Sequence, residues 1–318
     1  MLNIYNMNGI ILYIVIFFLL FSILNYKYLK ERIEIELNLK RAELLDVDNF
    51  FYTSTFLKAS KRRKLWIYMD FERNSRLWES FGSRSSTKLN LSYINLCIKS
   101  IIDWCSESYD IFIFSDIDMN EILEEDFDYK KLSGPLLENY RHISLMKILN
   151  KYGGVMVPPS LFLKNSIKSI DNDKIWYVCD VNNIDNVSMT NRTMSTSLSG
   201  SNANNPQLEE YIDSLSKDSI CQFEENYLVK HNIPYIDGKV IGTKDANDKK
   251  IMLEDLMSTK PIIFSENNIG IYMPHKQLVK RKIYNWFCKM SEEQVLNSYC
   301  VFSYYMLSTI PNDNRKDC

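Results

Sequence analysis

Two carboxylates two residues apart, Asp116 and Asp118, follow the apolar run Ile111-Phe112-Ile113-Phe114. Such a pair at a strand end could hold Mg²⁺ or Mn²⁺, hard ions that prefer oxygen ligands. It could equally face the base or ribose of a nucleotide, and a solvated loop is the plainest reading. Asp70 closes a second apolar run, Leu65-Trp66-Ile67-Tyr68-Met69, and Arg73, Arg76 and Arg84 come soon after it. These guanidinium forks could bind phosphate without a metal, and structural salt bridges account for them as well. His142 could serve as an acid or base, although a packed or surface histidine is the more ordinary role; His231 and His275 carry no partner signal. The seven cysteines form no CxxC pair and no spaced Cys/His set. No zinc site, metal or cofactor is therefore expected, and free buried thiols in a reducing compartment are.

The elements that must position these groups follow from periodicity. Apolar residues at Ile94, Cys97, Ile98, Ile101, Ile102 and Cys105 predict a helix over Tyr93–Cys105. It lies between the Leu65 and Ile111 runs. Strand, helix and strand in that order predict a parallel βαβ unit covered on both faces. Ligands of such sheets sit beyond the carboxyl ends of the strands, which is where Asp70, Asp116 and Asp118 fall. A further helix with Ile143, Met146, Ile148 and Leu149 ends at Lys151-Tyr152-Gly153-Gly154, where a glycine supplies a left-handed cap. The short strand Val155-Met156-Val157 then runs into Pro158-Pro159-Ser160.

Downstream, Ile175–Val178 is expected as a strand and 180–205 as a polar surface excursion. A helix over Pro206–Leu215 is expected, capped by Asn205. A strand pair is expected around Asp237-Gly238, short strands at Pro261–Phe264 and Ile269–Met273, and a closing helical unit over Arg281–Tyr305.

The chain has 318 residues, 46% of them hydrophobic, and a formal net charge of -2. That is enough for one large domain or two small ones, and no general attraction to nucleic acid is expected. Gly9–Leu24 is a run of sixteen residues without a charge. Extended to Ile4 and Tyr26 it reaches bilayer length, with Tyr5, Tyr26 and Tyr28 as interfacial rings. Lys27, Lys30 and Arg32 follow it, which by the positive-inside rule leaves the body cytosolic. A helix is expected from Glu31 to about Leu45. The basic cluster Lys58 to Lys64 reads as a solvated connector that could also touch anionic headgroups. The expected division is an anchor at 1–28, a helical and basic linker at 29–63, a body at 64–310 and a tail at 311–318. Sequons at Asn90, Asn186 and Asn191 matter only for a lumenal body.

From Leu65 to Asp180 the layout resembles glycosyltransferase family 32, sugar transferases of the GT-A type with an Asp-x-Asp motif. Leu149-Asn150-Lys151-Tyr152-Gly153-Gly154-Val155 and Trp66 carry that likeness. It implies a mixed, mostly parallel GT-A-like (Rossmann-like) sheet with flanking helices, and a nucleotide-sugar cleft that would include Asp70, Arg76, Arg84, Asp116 and Asp118. The departures fall on the working residues. The family's helical Asp falls on His142 and its Arg on Leu145, and its Asp-x-Asp falls on Pro158, Pro159 and Ser160. Proline offers neither charge nor donor, so the metal grip that offsets a departing pyrophosphate is missing.

A second resemblance, spanning nearly the whole body, is to an uncharacterised protein family of nucleocytoplasmic large DNA viruses. It rests on Glu72-Arg73-Asn74-Ser75-Arg76, Trp78, Ser83-Arg84-Ser85-Ser86, Ile269–Pro274 and Tyr284-Asn285-Trp286-Phe287. The apolar N-terminal run and the viral resemblance together imply a single-pass membrane protein of viral origin that could travel with the virion. Its leading function is a degenerate sugar-transferase scaffold with a nucleotide sugar, glycan or viral protein as partner, and no nucleic acid. The alternative is an active, metal-independent glycosyltransferase.

Overall fold

Trp66 explains why the first strand and the Tyr-Gly-Gly element belong together. Its indole is wholly buried, and Nε1 donates to the Gly153 carbonyl at 2.9 Å. The ring stacks on Phe112 at 5.0 Å and tilts against Tyr152 at 5.9 Å. Burial of a ring this size contributes about 2–3 kcal/mol, and the hydrogen bond satisfies its one polar atom. These contacts are taken from a computed structural model that describes residues 47–69, 92–173, 175–180, 194–217 and 224–309. The expected anchor, the helix over 31–45, the sequons, the tail at 311–318, Asp70, Arg73, Arg76 and Arg84 all lie outside the described residues. So do Cys221 and Cys318. Among the described residues no helix is long and apolar enough to cross a membrane.

The chain divides into units 1–49 and 50–318. The second unit is built on a six-stranded sheet of order β2-β1-β3-β6-β5-β7. Its strands are β1 (Arg63–Tyr68), β2 (Tyr109–Phe114), β3 (Gly154–Met156), β5 (Tyr177–Asp180), β6 (Met194–Ser201) and β7 (Tyr235–Ile236). β1 pairs in parallel with both β2 and β3, β5 pairs in parallel with β7, and β6 runs antiparallel between β3 and β5. A mixed α/β architecture with a mostly parallel sheet is therefore present. The βαβ unit read from the sequence forms as expected, with helix Ser92–Cys105 as its crossover.

Alternation along the strands divides the core between the two faces. Trp66, Phe112, Phe114, Met156 and Val178 share one cluster with Met146, Ile148 and Leu149. These last three come from helix Gly134–Tyr152. Leu208 and Tyr211 of helix Pro206–Lys217 complete that side. Asn205 caps the latter helix as expected, its Oδ1 accepting from the Gln207 and Leu208 amides at 3.0 and 3.3 Å. A separate antiparallel ribbon pairs β4 (Leu161–Leu163) with β8 (Gly270–Tyr272). The Ser100 hydroxyl ties the crossover helix to this ribbon by accepting from the Leu163 amide at 2.9 Å.

Five expectations need correction. The stretch 180–205 is not a surface excursion throughout, because Met194–Ser201 forms β6 in the sheet interior. Hydropathy fails there because Ser195, Thr196, Ser199 and Ser201 are buried by virtue of small size. Their polar atoms are satisfied locally, as when Ser199 Oγ donates to the Thr196 carbonyl at 3.0 Å. Gly200 must lack a side chain, since a Cβ would sit 2.3 Å from the Tyr177 ring. Around Asp237 there is one strand and a turn, not a strand pair, closed by the Lys239 amide donating to Asp237 Oδ1 at 2.8 Å. Pro261–Phe264 is irregular.

The basic cluster is no solvated connector at its second half. Arg62 Nε donates to Asp110 at 2.7 Å, and Arg63 Nη2 donates to Asp171 at 2.7 Å. The compact unit also begins at Phe50, so residues 50–63, expected in the linker, belong with the body; Tyr52 and Leu57 are buried in its core.

Candidate functional site

Parallel sheets place ligands where the chain order reverses. Here β2 lies on one side of β1 and β3 on the other, so the switch point falls between β1 and β3. The carboxyl end of β3 leads directly to Pro158, Pro159 and Ser160. The Val157 amide donates to the Trp66 carbonyl at 2.8 Å, which brings this turn against β1. The Leu161 amide then donates to the Pro158 carbonyl at 3.1 Å and closes the turn. Ser160 is buried; its carbonyl accepts from the Met273 amide at 3.1 Å, and the Tyr272 phenol lies beside its side chain. Burial pushes that phenol up from 10.0 to about 12. Two proline rings and an enclosed hydroxyl do not fit a divalent ion, which needs several oxygen donors converging on an open position. Among the described residues no group of three His, Cys, Asp or Glu side chains could hold a metal ion.

One strand away, beyond the carboxyl ends of β1 and β2, lies a cleft of about 820 Å³. Met69, Phe114, Asp116, Asp118, Tyr129, Lys130 and Arg141 line it. Both aspartates of the DXD spacing line one cleft, and each is already engaged. Ser115 precedes helix Asp116–Leu123, and its amide and hydroxyl donate to Asp118 Oδ2 at 2.8 and 2.9 Å. A carboxylate three residues into a helix that reaches back in this way closes the helix start. Asp116 instead receives the Arg141 guanidinium, with Nε at 3.1 and 3.2 Å from its two oxygens and Nη2 at 2.6 Å from Oδ2. The Tyr68 hydroxyl donates to Asp116 Oδ1 at 2.7 Å.

Part of the lining is aromatic. Phe127 stacks on Tyr140 at 4.8 Å, and Tyr129 shares a 2.7 Å hydrogen bond with Ser144 Oγ. Asn120 donates to the Phe127 carbonyl at 2.7 Å, while its Oδ1 is buried without a partner among the described residues. Such a cleft offers aromatic surface and two cationic side chains, Arg141 and Lys130. Arg141 is the residue that sequence reasoning missed. It sits beside His142, where the family's Asp would fall, and one turn before Leu145, where its Arg would fall.

His142 is a packed residue, with Nε2 3.0 Å from the Tyr211 hydroxyl and its ring edge-on to Tyr211. Cys97, Cys105, Cys179 and Cys300 are buried free thiols and Cys288 is a half-buried one. Burial raises Cys97 and Cys179 well above the usual thiol value, which suits inert packing more than nucleophilic chemistry.

The glycines of Tyr-Gly-Gly have a packing role. Gly153 and Gly154 carry φ of +66° and +109°. A Cβ on Gly154 would meet the Lys64 carbonyl oxygen at 2.3 Å, and one on Gly153 would meet the Ala203 amide nitrogen at 2.8 Å. The element most specific to the resemblance therefore lets β3 lie against β1 and β6, whether or not chemistry follows. No protein-family model and no curated protein matches the sequence.

Proposed function

We propose that this chain is a catalytically degenerate sugar-transferase-like protein of GT-A type. It would act as a binding or structural scaffold, tethered by its N-terminal apolar run as a membrane protein of a large DNA virus. The observation that carries the reading is the turn at residues 158–160. At the switch point of the sheet, where a metal-dependent transferase needs converging carboxylates, two prolines and a buried serine stand. The sheet order, with β6 antiparallel inside an otherwise parallel set, supports a GT-A-like arrangement.

A second reading, an active transferase that uses cations of the chain in place of the ion, draws support from the neighbouring cleft. Arg141 and Lys130 line it beside Asp116. Titration of the full-length protein with UDP- and GDP-sugars, with and without Mn²⁺, separates the two. The scaffold reading expects no Mn²⁺ dependence of binding and no sugar release or transfer. Metal-stimulated binding would overturn it. Metal-independent turnover that falls in Arg76→Ala and Arg84→Ala would establish the second reading in its place.

A further inference from the structure

A second basic stretch, far from the sheet's carboxyl edge in sequence, has an arrangement unlike the first. From Lys276 to Lys289 the chain carries Lys276, Lys280, Arg281, Lys282 and Lys289 and no acidic residue, in a protein whose net charge is -2. Helix His275–Lys280 and the 3-10 helix Asn285–Lys289 lie against each other, joined by a turn in which the Tyr284 amide donates to the Arg281 carbonyl at 2.9 Å.

The stretch is anchored from one side. Leu278 and Phe287 are wholly buried, Phe287 packs on Tyr93 and Phe302, His275 is hydrogen-bonded to Tyr93, and Arg281 pairs with Glu254. What remains outward is of two kinds. Lys276, Lys280, Lys282 and Lys289 are exposed, Lys276 within 3.1 Å of the Glu138 carboxylate. Between them Val279 is 48% exposed, Ile283 70% and Trp286 42%. The Trp286 indole donates to the Ile283 backbone carbonyl at 2.9 Å, which holds the ring over the turn.

We propose that residues 276–289 form a docking surface for an anionic lipid bilayer. Exposed aliphatic and indole side chains ringed by lysines match the interface of such a membrane. The apolar groups enter the headgroup and acyl boundary, tryptophan favours that depth, and the lysines are drawn to the negative surface. Nucleic acid would use the lysines, but Val279 and Ile283 offer neither stacking faces nor hydrogen bonds to a phosphodiester chain. The basic run at Lys58–Lys64 lacks this character, because Arg62 and Arg63 are drawn onto Asp110 and Asp171. The surface does not depend on the sugar-transferase reading.

The test uses the full-length protein reconstituted in phosphatidylcholine vesicles with and without about a third phosphatidylserine. Its readouts are local, so attachment elsewhere in the chain cannot imitate them. Amide hydrogen exchange across 276–289 is expected to slow several-fold in the anionic vesicles only. Brominated lipid is expected to quench a tryptophan signal that disappears in Trp286→Phe. Lys282→Glu with Lys289→Glu should abolish both effects while leaving exchange in the β1–β2 core unchanged, and Ile283→Ser should weaken them. Equal exchange in neutral and anionic vesicles would overturn the proposal. So would protection produced by inorganic phosphate, or by an oligonucleotide in the absence of lipid.

Discussion

Arg141 grips Asp116 through a two-nitrogen fork, closing to 2.6 Å at Nη2, from a helix that begins twenty residues after the strand end it reaches. That grip decides how the DXD-like pair must be understood. A carboxylate held by a guanidinium and a tyrosine hydroxyl is a wall of the cleft, not a waiting metal ligand. Both partners are partly exposed, so Arg141→Ala should cost only about 1 kcal/mol. Arg141→Lys should recover part of this, since charge returns without the fork. Urea denaturation of the two variants checks the order.

Glycine at two positive-φ sites should respond very differently to the same change. Gly154→Ala brings a Cβ to 2.3 Å from the Lys64 carbonyl oxygen between two paired strands, whereas Gly134, at φ +58°, has nothing within 4 Å. The first is expected to lose about 3 kcal/mol or more, or to fail to fold. The second should lose about 1 kcal/mol from the left-handed backbone alone. Thermal melting separates the cases, and equal losses would show that steric approach is unimportant at Gly154.

At the far end of β5, Asp180 is fully buried and pairs with Lys244, while Thr243 Oγ1 donates to the Asp180 carbonyl at 2.6 Å. Removing one member leaves a buried charge without its partner, so Lys244→Met is expected to cost about 3–5 kcal/mol. The double change Asp180→Asn with Lys244→Met should restore much of that loss. A double-mutant cycle measures the coupling.

Rewriting the turn toward its metal-binding form should not create a metal site. Ser160→Asp places a carboxylate in a buried position beside the Tyr272 phenol. A loss of about 2–3 kcal/mol is expected, with no Mn²⁺ binding by calorimetry even when Pro158→Asp is added.

Alkaline pH should weaken the fold within a defined window. Burial raises the Tyr52 and Tyr272 phenols from 10.0 to about 12, with nearby carboxylates adding to the effect at Tyr52. The folded chain therefore keeps protons that the unfolded chain releases. Their contribution is whole below pH 10 and declines as pH rises toward about 12. Acid acts through Asp110. Burial pushes its carboxyl up, but the Ser60 hydroxyl and the Arg62 side chain and amide outweigh that and hold it below 3.8. Stability from Asp110 is thus present above that value and lost as pH falls below it. Denaturant midpoints across both pH ranges, with Asp110→Asn as the control, check the signs.

The local pattern alone determined the βαβ unit, the helix ending at Tyr152, the Asn205 cap and the burial of Trp66. Each depends on neighbours within a few residues or on an apolar period, and such signals are written in side-chain order. Tertiary structure alone decided three things. Met194–Ser201, polar by composition, became an interior strand because small hydroxyls can satisfy themselves and the ladder is made of backbone. Asp116 met Arg141 because a helix packs across a strand end, a distance no spacing rule measures. Ser160 was sealed away by Met273 and Tyr272, more than a hundred residues later in the chain. Side-chain type states what a residue can do; which partner arrives first to hold it is settled only when remote backbones meet.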